Sequence, residues 1–170
     1  MMHSVVFKLN ENYSKNFKHI TAAHFQENGF EEVIGCTVKD QDEKEDLSNY
    51  NWLLTLYKEF KGFKVELKKN GYYYLTITKD ACKSILTSQF DKARDLIDDY
   101  TLDLFRNRRV NSLDISKLVS GNSTGFYFHI FNEREFLNDV EFFEWLYNRC
   151  IAFKFDEMVF RLEGTLDYHC

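Results

Sequence analysis

The chain has 170 residues, of which 44% are hydrophobic and 29% charged; this is enough apolar material for one self-supporting core and excludes an intrinsically disordered chain. Its formal net charge of −5 argues against nucleic acid as a partner, because phosphate binding needs clustered Lys and Arg, and is too mild for a duplex mimic coated in carboxylates. The four cysteines, Cys36, Cys82, Cys150 and Cys170, stand at no metal-ligand spacing, so free thiols in a reducing cytoplasm are expected, with no cofactor and no metal.

Neither a leader pattern at the N-terminus nor an apolar run of membrane-spanning length is visible. There is no proline, while Phe, Tyr, Asn and Lys are abundant. That bias points to an A/T-rich gene, of the kind that phages and toxin–antidote loci often carry.

In chain order, residues 3–9 (HSVVFKL) read as a first strand. Ser14 reads as an N-cap, Phe17, Ile20, Thr21 and His24 follow at helical spacing, and Asn28-Gly29 supplies a left-handed stop. Residues 32–39 (EVIGCTVK) read as a second strand with Gly35 at a bulge. The acidic run from Asp40 to Asp46 feeds a helix whose apolar face is Leu53, Leu56, Tyr57 and Phe60, ended by Gly62.

The hairpin around Asn70-Gly71 has two candidate registers. A two-residue turn would pair Val65 with Thr76 and mix polar with apolar residues on both faces. A three-residue loop, Lys69-Asn70-Gly71, pairs Phe63 with Ile77, Val65 with Leu75 and Leu67 with Tyr73. One face then becomes wholly apolar and Gly71 left-handed, so the second register is expected. It turns Tyr72 and Tyr74 outward.

Ser88 and Asp91 resemble a capping box opening a helix to Arg106, with Ala93, Leu96, Ile97, Tyr100 and Leu104 on its core face. Residues 111–125 carry Gly121, Asn122, Ser123, Thr124 and Gly125 and read as a flexible loop. Residues 126–131 (FYFHIF) read as a strand buried on both faces. Asn132 and Glu135 form another capping pattern, opening an unusually wide aromatic helix over Phe136, Val140, Phe143 and Tyr147. Residues 151–155 and 158–166 read as a closing hairpin through Asp156-Glu157. The order β-α-β-α-β-β-α-β-α-β-β predicts a single α+β domain over residues 1–170. Its sheet should be mixed, mostly antiparallel and of about seven strands, with four helices.

No phosphate loop, nucleophile elbow or zincin helix is present. The string His19-Ile20-Thr21 resembles the His-x-Thr element of the two-histidine phosphoesterases, in which paired imidazoles perform acid–base attack on a phosphodiester. That resemblance implies His19, Thr21 and His129 as catalytic candidates. The second element, His129-Ile130-Phe131, departs from the pattern by lacking the hydroxyl, and that family carries its histidines on strands.

The other candidates are for protein contact. Asp91, Asp95, Asp98, Asp99 and Asp103 lie on the helix that ends at Arg106, and acidic faces steer basic partners to a docking site. Tyr72 and Tyr74 offer outward aromatic area. Three classes of function follow. The first is a small cytoplasmic binding protein that neutralises a partner, such as a basic toxin or nuclease. An immunity protein of contact-dependent growth inhibition, an antitoxin, or a phage inhibitor of host defence would be of this type. The second is a two-histidine phosphodiesterase. The third is an oligomerising module that self-associates through the wide aromatic helix.

Overall fold

The computed structural model describes residues 3–11, 21–23, 37–98, 125–130 and 136–169. Its described elements are β1 (His3–Glu11), β2 (Thr37–Asp40), α1 (Glu43–Tyr57), β3 (Phe63–Leu67), β4 (Tyr73–Thr78), α2 (Lys79–Asp98), β5 (Phe126–Ile130), β6 (Leu137–Asn138), α3 (Asp139–Phe153) and β7 (Glu157–His169). The strands form one seven-stranded sheet in the order β3-β4-β7-β1-β5-β6, with β2 joined to β7 off that path. Only the β1–β5 pair is parallel among these pairings. The fold is therefore α+β with a mixed, mostly antiparallel sheet, as expected. The described residues hold three helices rather than four. Most of the helix expected after Ser14 lies outside them, although Ala22 and Ala23 are helical.

The core lies between one sheet face and all three helices. Phe7, Leu9, Phe126, Phe128, Leu75, Ile77 and Phe160 come from the strands, and alternation along each strand puts them on one side. Tyr50, Leu53 and Tyr57 of α1, Cys82 and Ile85 of α2, and Phe142, Phe143, Leu146 and Cys150 of α3 close over them. Phe128 and Phe142 stack at a centroid distance of 4.1 Å. The opposite face carries a smaller cluster, in which Ala22 packs on Val6, Val38 and Leu166.

The hairpin has the expected register, with Phe63 opposite Ile77, Val65 opposite Leu75 and Leu67 opposite Tyr73. Gly71 is left-handed at φ +83°, and the turn is closed by bonds from Lys68 N to the Tyr72 carbonyl and from Gly71 N to the Lys68 carbonyl. The expectation of one continuous buried face fails at its tip, where Leu67 is 58% exposed because it lies beyond the helices' reach.

The helix boundaries differ from those expected. α2 begins at Lys79, directly after β4, with the Thr78 hydroxyl accepting from Ala81 N at 3.2 Å. Ser88 is therefore an interior residue and not an N-cap. Cap-type residues also sit inside helices by bonding backward, as the Thr87 hydroxyl does to the Lys83 carbonyl at 2.8 Å. The expected cap at Asn132 and Glu135 lies outside the described residues. The same Asn-x-x-Glu pattern six residues later, Asn138 with Glu141, makes the capping box of α3. Phe136 thus precedes the helix.

α3 also runs through the segment expected to be a strand, ending at Phe153 with Lys154 left-handed at φ +58°. Residues 151–155 are rich in β-favouring side chains, but a capped helix already under way propagates more cheaply than a strand starts. The closing hairpin does not exist. β7 instead pairs with β1, β2 and β4.

In α1 the buried positions are Tyr50, Leu53 and Tyr57, while Leu56 is 37% exposed. β5 is buried at Phe126, Phe128, His129 and Ile130, so its near-continuous apolar run was a sound sign of burial on both faces.

Candidate functional site

Of the catalytic candidates, His19 lies outside the described residues. Thr21 is half-buried. His129 sits on β5 at 6% exposure, its ring edge-on to Phe136 at 5.7 Å. In the β1–β5 register it stands beside Lys8. An imidazole packed this way is a sheet histidine, with little surface to offer a substrate.

The acidic candidates divide. Asp91 and Asp95 lie on α2 with side chains 46% and 71% exposed, and Arg94 bridges both, at 3.2 and 3.7 Å. They edge a groove of about 640 Å³ along α2 that Ser84, Thr87 and Ser88 also line, together with Lys83 and Lys92. These cations offset much of the carboxylate charge. Asp98 ends α2, while Asp99 and Asp103 lie outside the described residues.

The two tyrosines also part. Tyr72 is 46% exposed, with the Arg161 guanidinium over its ring at 4.6 Å. Tyr74 is not exposed as expected but buried at 6%. It stands opposite Arg161 in the sheet, Lys68 lies over its ring at 4.1 Å, and Asn70 Nδ2 donates to its hydroxyl at 2.8 Å. Long polar side chains cover the outer face of the hairpin, which alternation alone cannot reveal.

The structure brings together a polar cluster that no motif announced. β4 and β2 share one edge of β7, meeting it at residues 157–161 and 166–169. Between them, the edge of β7 has no strand neighbour among the described residues. A bulge there sets Glu163 and Gly164 against Lys8. The first turns of α1 fill the gap. Asp46 Oδ1 accepts from Thr165 N and lies as close to the Thr165 hydroxyl, each at 2.6 Å. Tyr50 accepts from Gly164 N at 2.9 Å, and Asn49 donates to the Thr165 hydroxyl at 3.0 Å.

Lys8, with a side chain 6% exposed, pairs with Asp40 at 3.3 Å. A second Asp40 oxygen accepts from Ala22 N at 2.9 Å. Burial pushes the Asp46 carboxyl above its ordinary value, against the opposing pull of its Thr165 hydrogen bonds and Lys8. Burial likewise raises the Tyr50 phenol. Because the carboxyl oxygen is engaged by internal donors, the cluster is built as a brace for the split sheet.

A surface patch lies at residues 151–155, where a strand was expected. Residues 151–157 are all exposed. Ile151 stands at 54%, Phe153 at 61% and Phe155 at 41% exposure. The two Phe rings stack at 5.8 Å on either side of Lys154. Arg149 extends the patch, lying 5.0 Å from the Trp145 ring and 5.7 Å from the Phe153 ring, with its guanidinium bonded to Glu11 at 2.9 Å. Among the described residues there is no metal-type cluster of His, Cys, Asp and Glu, and no helix is long and apolar enough to cross a membrane. No family model, curated protein or solved structure matches the chain.

Proposed function

We propose that this chain is a protein-binding domain that neutralises a partner protein, as bacterial immunity proteins and phage inhibitors of host defence do. The observation that supports the reading is the patch at the end of α3. Single exposed apolar side chains are ordinary, but three within five residues, beside an arginine stacked on tryptophan, have the composition of a binding hot spot. Lys154 adds to this. It stops α3 as a left-handed cap, its N–H donating to the Cys150 and Ile151 carbonyls, and so turns the chain between the stacked rings of Phe153 and Phe155. The acidic face of α2 would contribute by steering a basic partner.

The test is co-purification from the native host with wild type and with Phe153→Ser/Phe155→Ser, followed by assay of the captured protein's activity. The proposal expects one partner, inhibited by wild type and lost with the double variant. Sedimentation velocity on both forms identifies the competing outcome: a wild-type dimer that the double variant converts to monomer would assign the patch to self-association.

A further inference from the structure

β3 is the outer strand of the sheet, with β4 as its one neighbour among the described residues. The ladder between them is bracketed by bonds from Thr78 N to the Gly62 carbonyl and from Lys68 N to the Tyr72 carbonyl. Antiparallel alternation then turns the N–H and C=O of Lys64 and Glu66 toward β4, and those of Val65 and Leu67 toward the open edge. Side chains alternate as well. Val65 is half-buried and Leu67 exposed on the helix-covered side, while Lys64 and Glu66 are exposed on the other.

The charge around this edge runs against that of the molecule. Lys58, Lys61, Lys64, Lys68 and Lys69 are all exposed, against Glu59 and Glu66, in a chain whose net charge is −5. None of the five lysines is in an ion pair among the described residues.

We infer that the β3 edge binds an acidic, extended peptide segment, which adds to the sheet as a further strand beside Val65 and Leu67. The open N–H and C=O groups would hold its backbone. The occupant should alternate, with apolar residues beside Val65 and Leu67 and carboxylates facing Lys64 and Lys68. Single-stranded nucleic acid fits less well. It would need an open aromatic platform for its bases, and the guanidinium of Arg161 already covers the ring of Tyr72. This inference is independent of the aromatic patch on α3, and either can fail without the other.

The probe is a fluorescein-labelled peptide of alternating Glu and Val, titrated with the full chain and followed by anisotropy. The comparison probes are the same peptide N-methylated on alternate residues, a block peptide of identical composition, and labelled oligo-dT. Saturable binding of the alternating peptide, weakened about tenfold or more by N-methylation and by Lys64→Gln/Lys68→Gln, is the expected result. Leu67→Pro should abolish it, because this proline removes an N–H that faces the edge and leaves the β4 ladder intact. Retained thermal unfolding checks the fold of that variant, and the N-methylated peptide tests the same bond with no change to the protein. Equal binding of the N-methylated or block peptide would overturn strand addition. So would no binding of the alternating peptide, or binding of oligo-dT in its place.

Discussion

Two left-handed glycines separate the cost of a backbone angle from the cost of a neighbour. A Cβ on Gly71 would meet nothing within 4 Å, so Gly71→Ala should destabilise by only the positive-φ penalty, about 1 kcal/mol. A Cβ on Gly164, at φ +103°, would lie 3.1 Å from Asp46 Oδ2 and 3.2 Å from Lys8 Cε. Gly164→Ala carries that same penalty and also pushes on the Asp46 carboxyl and the buried Lys8 side chain, so its midpoint in urea should fall further. Equal midpoints would mean that the brace yields freely. Asp46 itself predicts a pH dependence. Its folded pKa is raised above the ordinary 3.8, with burial the largest cause. The folded state thus binds this proton more tightly than the unfolded chain. Asp46's contribution is fully present below that ordinary value and is lost as pH rises through the raised one. Asn does not titrate, so the stability of Asp46→Asn relative to wild type should improve between about pH 4 and about pH 7. Urea denaturation of both proteins at each pH measures this difference and cancels the titration of distant groups. A difference that does not change with pH would show the carboxyl to be unburdened in the fold.

At the scale of elements, α3 is held by its ends. Its capping box should make Asn138→Ala cost about 1 kcal/mol. Lys154→Gly should do the reverse and stabilise by about 1 kcal/mol, because it relieves a left-handed angle on a residue with a Cβ. If Lys154→Gly also weakened partner binding, the strain would be tied to function. Elements differ in how far the sequence reveals them. The hairpin register was legible because burial of one face forbids a one-residue slip. The start of α3 was misplaced because Asn-x-x-Glu occurs twice in ten residues, at Asn132 and Asn138, and local chemistry does not rank the two. Its end was misplaced because Ile151, Phe153 and Phe155 read as strand when their exposure is unknown. The exposed patch was missed for that reason. The acidic face of α2 was legible in sequence, but not the bridging of Asp91 and Asp95 by Arg94. Replacing Asp95, Asp98 and Asp99 together with Asn tests what charge remains. A steering role predicts slower, less salt-sensitive association with the captured partner and little change in stability. Unchanged association rates at low salt would leave this face merely solvated.

At the scale of the whole molecule, the order of strands and helices along the chain was enough to foresee an α+β sheet covered by helices. The path of β7 was not foreseeable, since its partners are set by tertiary pairing: β1 along one edge, β4 and β2 sharing the other. That arrangement makes the core continuous from β3 to β5, and two cysteines report on it. Cys82 of α2 and Cys150 of α3 are free and fully buried in this core. Burial raises both thiols above their ordinary value, so little thiolate, the reactive form, is present at neutral pH. Cys36 and Cys170 lie outside the described residues. Protein purified without reductant under anaerobic conditions and then denatured should titrate as four thiols. Folded protein should leave at least two protected, and mass spectrometry should identify them as Cys82 and Cys150. Their labelling then needs an opening of the core. Where reclosing outpaces labelling, the rate follows the equilibrium population of the open state. Gly164→Ala, which touches neither cysteine's helix, should therefore speed the labelling of both by the same factor, matched to its loss of stability. Acceleration of one cysteine alone would show that α2 and α3 open separately, and that the sheet and its helices are not one cooperative unit.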